Sequence, residues 1–131
     1  MKEISGINHI GLRVSNLEIT RSFYEQLGFL FLVGPVGPEP VAIMEHPSGV
    51  NINFILNATT NDTKNILMDV PEKNSGYTHI ALEVVDIESA EKQIGALGMK
   101  ITEKIEHEGA RCFFIRDPDN NVIEFHQPAN D

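Results

Sequence analysis

Polar and apolar positions alternate at the start of the chain. Ile10, Leu12 and Val14 fall on one side of an extended backbone, and His9, Gly11 and Arg13 on the other. A period of two over so short a run predicts a strand with one buried face, within about Gly6–Val14. The period then lengthens. Leu17, Thr20, Phe23, Tyr24 and Leu27 recur at roughly helical spacing, which predicts an amphipathic helix ended by Gly28. Ser15 and Glu18 are spaced as a capping box at its start. Three further strands are expected at about Phe29–Val33, Val41–Glu45 and Val50–Leu56. Gly34-Pro35-Val36-Gly37-Pro38 and His46-Pro47-Ser48-Gly49 read as the turns between them.

The same pattern then recurs. Shifted by 70 positions, His9, Ile10, Leu12, Val14, Glu18, Leu27 and Gly28 fall on His79, Ile80, Leu82, Val84, Glu88, Leu97 and Gly98. At a shift of 71, Pro47, Ile52 and Phe54 fall on Pro118, Ile123 and Phe125. Such self-similarity marks a duplicated supersecondary unit. The second copy predicts a strand at about Tyr77–Val85 and a helix at Ile87–Leu97, capped by Asp86 and stopped by Gly98. Strands follow at about Met99–Glu106, Ala110–Arg116 and Asn121–Gln127. We expect an α+β fold of two βαβββ modules, at about 6–57 and 76–127, joined by a polar linker at 58–75 within one domain spanning 1–131. Each helix covers one face of its own sheet. The uncovered faces would turn toward each other or toward a partner and form a half-barrel cleft, a natural ligand site.

Composition narrows the partners. Nineteen acidic against ten basic residues give a formal charge of −9, and no stretch clusters Lys and Arg. That argues against nucleic acid as a partner. No run approaches transmembrane length and the first residues carry no apolar leader, so no membrane association is expected. Cys112 is the single cysteine, which allows no internal disulfide and fits a reducing cytoplasm. Cys112 itself reads as a small strand residue rather than a nucleophile. The sequon Asn57-Ala58-Thr59 then reads as incidental.

Strand parity picks out candidate chemistry. If Ile10, Leu12, Ile80 and Leu82 pack beneath the helices, His9 and His79 point into the cleft from equivalent positions. Ile123 and Phe125 belong to the core, so Glu124 faces the cleft as well. Two imidazoles and a carboxylate on facing strands are the ingredients of a 2-His-1-carboxylate metal site, which keeps open positions for substrate. Arg13, Asn53 and Glu83 share that parity and are candidates for binding substrate. His126 lies on the face of Glu124 and could support it from behind. His46 falls in a turn and His107 in an acidic loop, and both read as solvated. Asn53 stands where Glu124 stands in the second copy, and an amide cannot take a proton at neutral pH.

These features carry a family resemblance. The openings His9-Ile-Gly-Leu and His79-Ile-Ala-Leu, the phrase Phe23-Tyr24-Glu25-Gln26-Leu27-Gly28-Phe29 and the ending Asp117-Pro118-Asp119-Asn120-Asn121-Val122-Ile123-Glu124 resemble the vicinal oxygen chelate superfamily. That group includes glyoxalase I and the bleomycin-resistance, fosfomycin-resistance and extradiol dioxygenase proteins. The resemblance implies a glyoxalase-like half-barrel cleft and a homodimer that can share cleft halves between chains. It also implies one divalent metal ion (Mn, Fe, Ni, Co or Zn), with His9, His79 and Glu124 at the ligand positions. Two departures matter. Asn53 stands near the place where glyoxalase I and methylmalonyl-CoA epimerase use a Glu or Gln, which puts those activities in doubt. Phe114 stands where fosfomycin-resistance and extradiol enzymes tend to place a Tyr, so it is counted with the substrate-binding candidates. The resulting expectation is a metal-dependent lyase, isomerase or dioxygenase acting on a small oxygen-chelating substrate. The alternative is a non-catalytic protein of the bleomycin-resistance kind, closing on a planar ligand with Phe113 or Phe114 in its walls.

Overall fold

The computed structural model describes residues 1–59 and 64–130, which belong to two compact units, Met1–Asp62 and Thr63–Asp131. Of the linker expected at 58–75, residues 60–63 lie outside the described residues.

The first unit runs β1 (Ile10–Arg13), α1 (Leu17–Gln26), β2 (Leu30–Val36), β3 (Val41–Glu45) and β4 (Asn51–Ile55). Its four-stranded sheet has the order β1-β4-β3-β2, with β1 parallel to β4 and the other pairs antiparallel. The second unit repeats this with β5 (His79–Glu83), α2 (Ile87–Ala96), β6 (Glu103–His107), β7 (Ala110–Arg116) and β8 (Val122–Gln127), in the order β5-β8-β7-β6. The two βαβββ modules of the α+β fold are therefore present, each with its own sheet and helix.

Each unit buries one face of its sheet. In the first, Tyr24 from α1 meets Phe54 at 4.9 Å and stands edge-on to Phe29 at 5.6 Å, with Ala42, Met44 and Ile52 buried around them. In the second, Phe113 stacks on Phe125 at 4.9 Å among Ile87, Ile94, Ile115 and Ile123. Aromatic pairs of this kind contribute about 0.5–1.5 kcal/mol beyond the area they bury. On the opposite faces His9, Gly11, Arg13, Ala81 and Glu83 are exposed, as period-two alternation requires.

Several local expectations need correcting. The N-cap of α1 is Asn16 rather than Ser15: its backbone is extended at φ −149°, and its side chain accepts from the Ile19 amide at 3.0 Å. Asp86 caps α2 in the same way through the Ser89 amide. Strand β2 runs on to Val36, through the stretch read as a turn, and its register against β3 shifts between Phe31 and Val33 and again before Val36. Strand β6 starts at Glu103 rather than Met99.

The segment 65–69, read as linker, is tied to the β7–β8 turn. Asn65 accepts from the amides of Leu67 and Met68 and donates to the Asn120 carbonyl. The Asp69 carboxylate receives both terminal nitrogens of Arg116, at 2.7 and 2.8 Å. Hydrogen bonding from Arg116 lowers the Asp69 pKa against an opposing desolvation effect, with the Arg116 charge and Asn120 adding to the fall. A carboxyl depressed in the folded state contributes stability above its unfolded pKa and loses it as pH drops through the folded value. The acid limb of a Tm-versus-pH curve should therefore be shallower in Asp69→Asn than in the parent. Superimposable acid limbs would show that the pair carries no such linkage.

Candidate metal centre

The open face of the second sheet is organised in rows. Strand register places Ala81, Glu124, Phe114 and Glu103 side by side, and Glu83, His126, Cys112 and Ile105 in the adjoining row. The tight Asp117 turn fixes where β8 begins: buried Asp117 accepts from the amides of Asp119 and Asn121, while Asn120 adopts φ +67°. From that start Glu124 falls on the open face with its side chain only 13% exposed. A carboxylate that far out of water needs partners, and it has one for each oxygen. Its Oε1 lies 3.0 Å from Nε2 of His79, and its Oε2 lies 2.8 Å from Nδ1 of His126. The Phe114 ring stands 5.8 Å from the His79 ring, edge to face. Phe113, buried against Phe125, belongs to the opposite face, so register settles which of the two phenylalanines is open.

The residue before each repeated histidine holds its ring. Thr78 Oγ1 lies 2.8 Å from Nδ1 of His79, and Asn8 Oδ1 lies 2.8 Å from Nδ1 of His9. For His9, Nδ1–H donates to a carbonyl oxygen, which leaves Nε2 as the lone-pair atom. A hydroxyl can donate or accept, so Thr78 suits either tautomer of His79. With Nδ1–H given to Thr78, the Nε2 lone pair of His79 and the Glu124 carboxylate are two donor atoms that one cation can share; in the other tautomer Nε2–H donates to Glu124 directly. The donor chemistry thus fits a divalent ion, and the bonds to Nδ1 are the kind that orients a ligating imidazole. Thr78→Val should weaken divalent-metal binding by about 10–100-fold through the freed ring. Titration calorimetry with Mn²⁺ checks this, and an unchanged Kd would contradict it. Neither Thr78 nor Asn8 was among the residues singled out from the sequence. The signal was available, since both are polar and sit at the repeat spacing of 70 immediately before the histidines.

In the first unit the corresponding row is Gly11, Asn53 and Ile43, so Asn53 takes the place that Glu124 holds in the second unit. Arg13 is engaged: Nε donates to Asn57 Oδ1 at 2.9 Å and Nη2 to Glu39 Oε1 at 3.2 Å. Its charge is therefore largely satisfied before any ligand arrives. His46 bonds Ser48 within its turn, and His107 lies exposed beside Glu108.

Cys112 stands opposite His126 on β7 and is half-buried. Burial first, then the charges of Glu124 and Glu103, push its thiol pKa up despite an opposing backbone hydrogen bond to Ile105. That environment makes Cys112 a poor nucleophile.

Two such units, each a four-stranded sheet with one helix, define a glyoxalase-type fold. The family model described as Glyoxalase/Bleomycin resistance protein/Dioxygenase superfamily matches residues 6–125, and the chain belongs to that superfamily. It is 30% identical over 128 residues to the metallothiol transferase FosB of Bacillus licheniformis, covering 95% of this chain and 76% of that protein. Among solved structures, a glyoxylase/bleomycin resistance protein/dioxygenase domain from Frankia sp. EAN1pec aligns with a TM-score of 0.77 at 21% identity, covering 98% of this chain and 95% of the other. The fosfomycin resistance protein FosX of Listeria monocytogenes aligns with a TM-score of 0.67 at 23% identity over 96% of this chain and 95% of its own. A variant of FosX, solved with Mn(II) and 1S,2S-dihydroxypropylphosphonic acid, aligns at 0.72 with 20% identity, covering 96% and 94%.

Proposed function

We propose that the protein is a divalent-metal-dependent enzyme whose ion is held by His9, His79 and Glu124 and whose substrate is a small molecule with neighbouring oxygens. The observation that carries this reading is the pairing of Glu124 with His79 at 3.0 Å, with the His79 ring held from behind by Thr78. His9 is assigned by its repeat equivalence to His79 and by the matching bond from its Nδ1 to Asn8. Bound there, a divalent ion supplies Lewis-acid polarisation of substrate oxygens. Two imidazoles and a carboxylate accept Mn, Fe, Co, Ni or Zn, and the Mn(II) in the FosX variant makes manganese the first ion to test.

The chain's own groups set the remaining terms. Glu124 is held by His126 through its second oxygen, which limits its freedom to turn away from the ion. Phe114 offers an apolar wall beside His79 and no hydroxyl. Asn53 can donate or accept a hydrogen bond but cannot act as a base, so proton abstraction next to a carbonyl is not the chemistry this set favours. Glu83 and Arg13 remain candidates for contacting substrate, Arg13 only by giving up Glu39. The likeness to a metallothiol transferase directs the first assay to thiol addition to an oxygenated small molecule such as an epoxide. By the family resemblance the working form is a homodimer in the cytoplasm.

The test is a turnover screen of epoxide plus thiol, dicarbonyl and catechol substrates with Mn²⁺. Turnover abolished by chelator and by His79→Ala is expected. Ligand-induced stabilisation without turnover, unchanged by chelator, would instead identify a binding protein.

A further inference from the structure

We propose that Cys112, Glu124 and His126 form a second metal site, suited to a thiophilic divalent ion such as zinc, that shares Glu124 with the proposed His9/His79/Glu124 site. One ligand atom from each of the three side chains lies within 4.8 Å of the others, and all three side chains are half-buried. They stand on the adjacent strands β7 and β8, with Cys112 directly opposite His126, so their spacing is set by the sheet ladder rather than by a loop. The two donor sets leave Glu124 in different directions: Oε1 faces His79 and Oε2 faces His126.

Sulfur, nitrogen and oxygen donors in this combination are what zinc takes in four-coordinate sites. Manganese and magnesium prefer oxygen donors, whereas thiolate selects the softer ions. The thiolate therefore sets the second site apart: manganese favours the first site, and a sulfur-to-metal signal reports on the second alone. The second site needs neither His9 nor His79, so it stands or falls apart from the functional reading with which it shares Glu124.

Cobalt(II) titrated into the full chain reports directly on thiolate coordination. The parent should develop a saturable near-ultraviolet sulfur-to-cobalt charge-transfer band that is removed by zinc. The band should survive in His79→Ala and vanish in Cys112→Ser. Zinc affinity should fall by more than about tenfold in Cys112→Ser and in His126→Ala. No band in the parent, or a band retained in Cys112→Ser, would overturn the proposal. A band lost in His79→Ala would make His79 a ligand of the thiolate-bound ion, so that there is no site independent of His79, and would overturn the proposal equally. If Cys112→Ser does not fold, zinc protection replaces it. Cys112 is the single thiol, and in the parent its reaction with a disulfide reagent should slow at least about tenfold with zinc, as tight occupancy requires. An unchanged rate would contradict the site. Mn²⁺ binding measured in His79→Ala keeps the two ideas apart: retained manganese refutes the functional reading alone, whatever the cobalt band does.

Discussion

Glu124→Ala is expected to abolish tight divalent-metal binding and, with it, turnover. The carboxylate is the one anionic member of the proposed set, and it also joins His79 to His126. Its removal takes away a ligand as well as the partner that aligns the His79 ring. The loss should therefore exceed the roughly 10–100-fold that removing a supporting group costs a metal site. Glu124→Gln separates charge from shape. The amide can keep a hydrogen bond to either imidazole, so Tm should move little, while Mn²⁺ affinity should still fall sharply because the negative charge is gone. Calorimetric titration of both variants, beside their melting curves, checks this. Parent-like affinity in the glutamine variant would show that the carboxylate is structural.

The second large effect concerns stability. Gly34→Ala should lower stability by about 3 kcal/mol or more, combining a strained backbone worth roughly 1–3 kcal/mol with the steric cost of separating two strands. Gly34 adopts φ +137°, and a Cβ there would lie 2.5 Å from Ala42 Cα and 2.7 Å from the Val41 carbonyl oxygen. Those contacts are backbone atoms of β3, so relief means moving β2 from β3 where Ala42 is fully buried. A Tm drop of about 10 °C or more follows for a protein of this size. Gly49→Ala is the control. Its φ is +100°, yet nothing lies within 4 Å of the added carbon, so only the conformational strain remains. Equal losses in the two variants would show that the close approach at Gly34 costs nothing.

What could be read from the chain follows physical lines. The strand that follows His9 and the strands holding His79 and Glu124 announce themselves because one face is buried and the other is not, which writes a period of two into the sequence. The duplication reinforces this, since each copy interprets the other. Ser15 and Asn16 are both good capping residues, and only the backbone angle at Asn16 decides between them. Gly34-Pro35 carries turn composition, but in β2 it serves an irregular edge of the sheet. Segment 65–69 looked like solvated linker because its contacts to Arg116 and Asn120 are polar and distant in sequence. Cys112 looked bland for the same reason: its neighbours His126 and Glu124 come from another strand, and pairing register alone brings the thiol to them.

The central claim is one ion per chain held jointly by His9, His79 and Glu124, and Mn²⁺ binding in His9→Ala tests it most directly. Electron paramagnetic resonance of the parent should count one tightly bound manganese per chain, and His9→Ala, folded as judged by its melting curve, should bind none under the same conditions. A His9→Ala protein that binds one manganese with parent affinity would contradict the account.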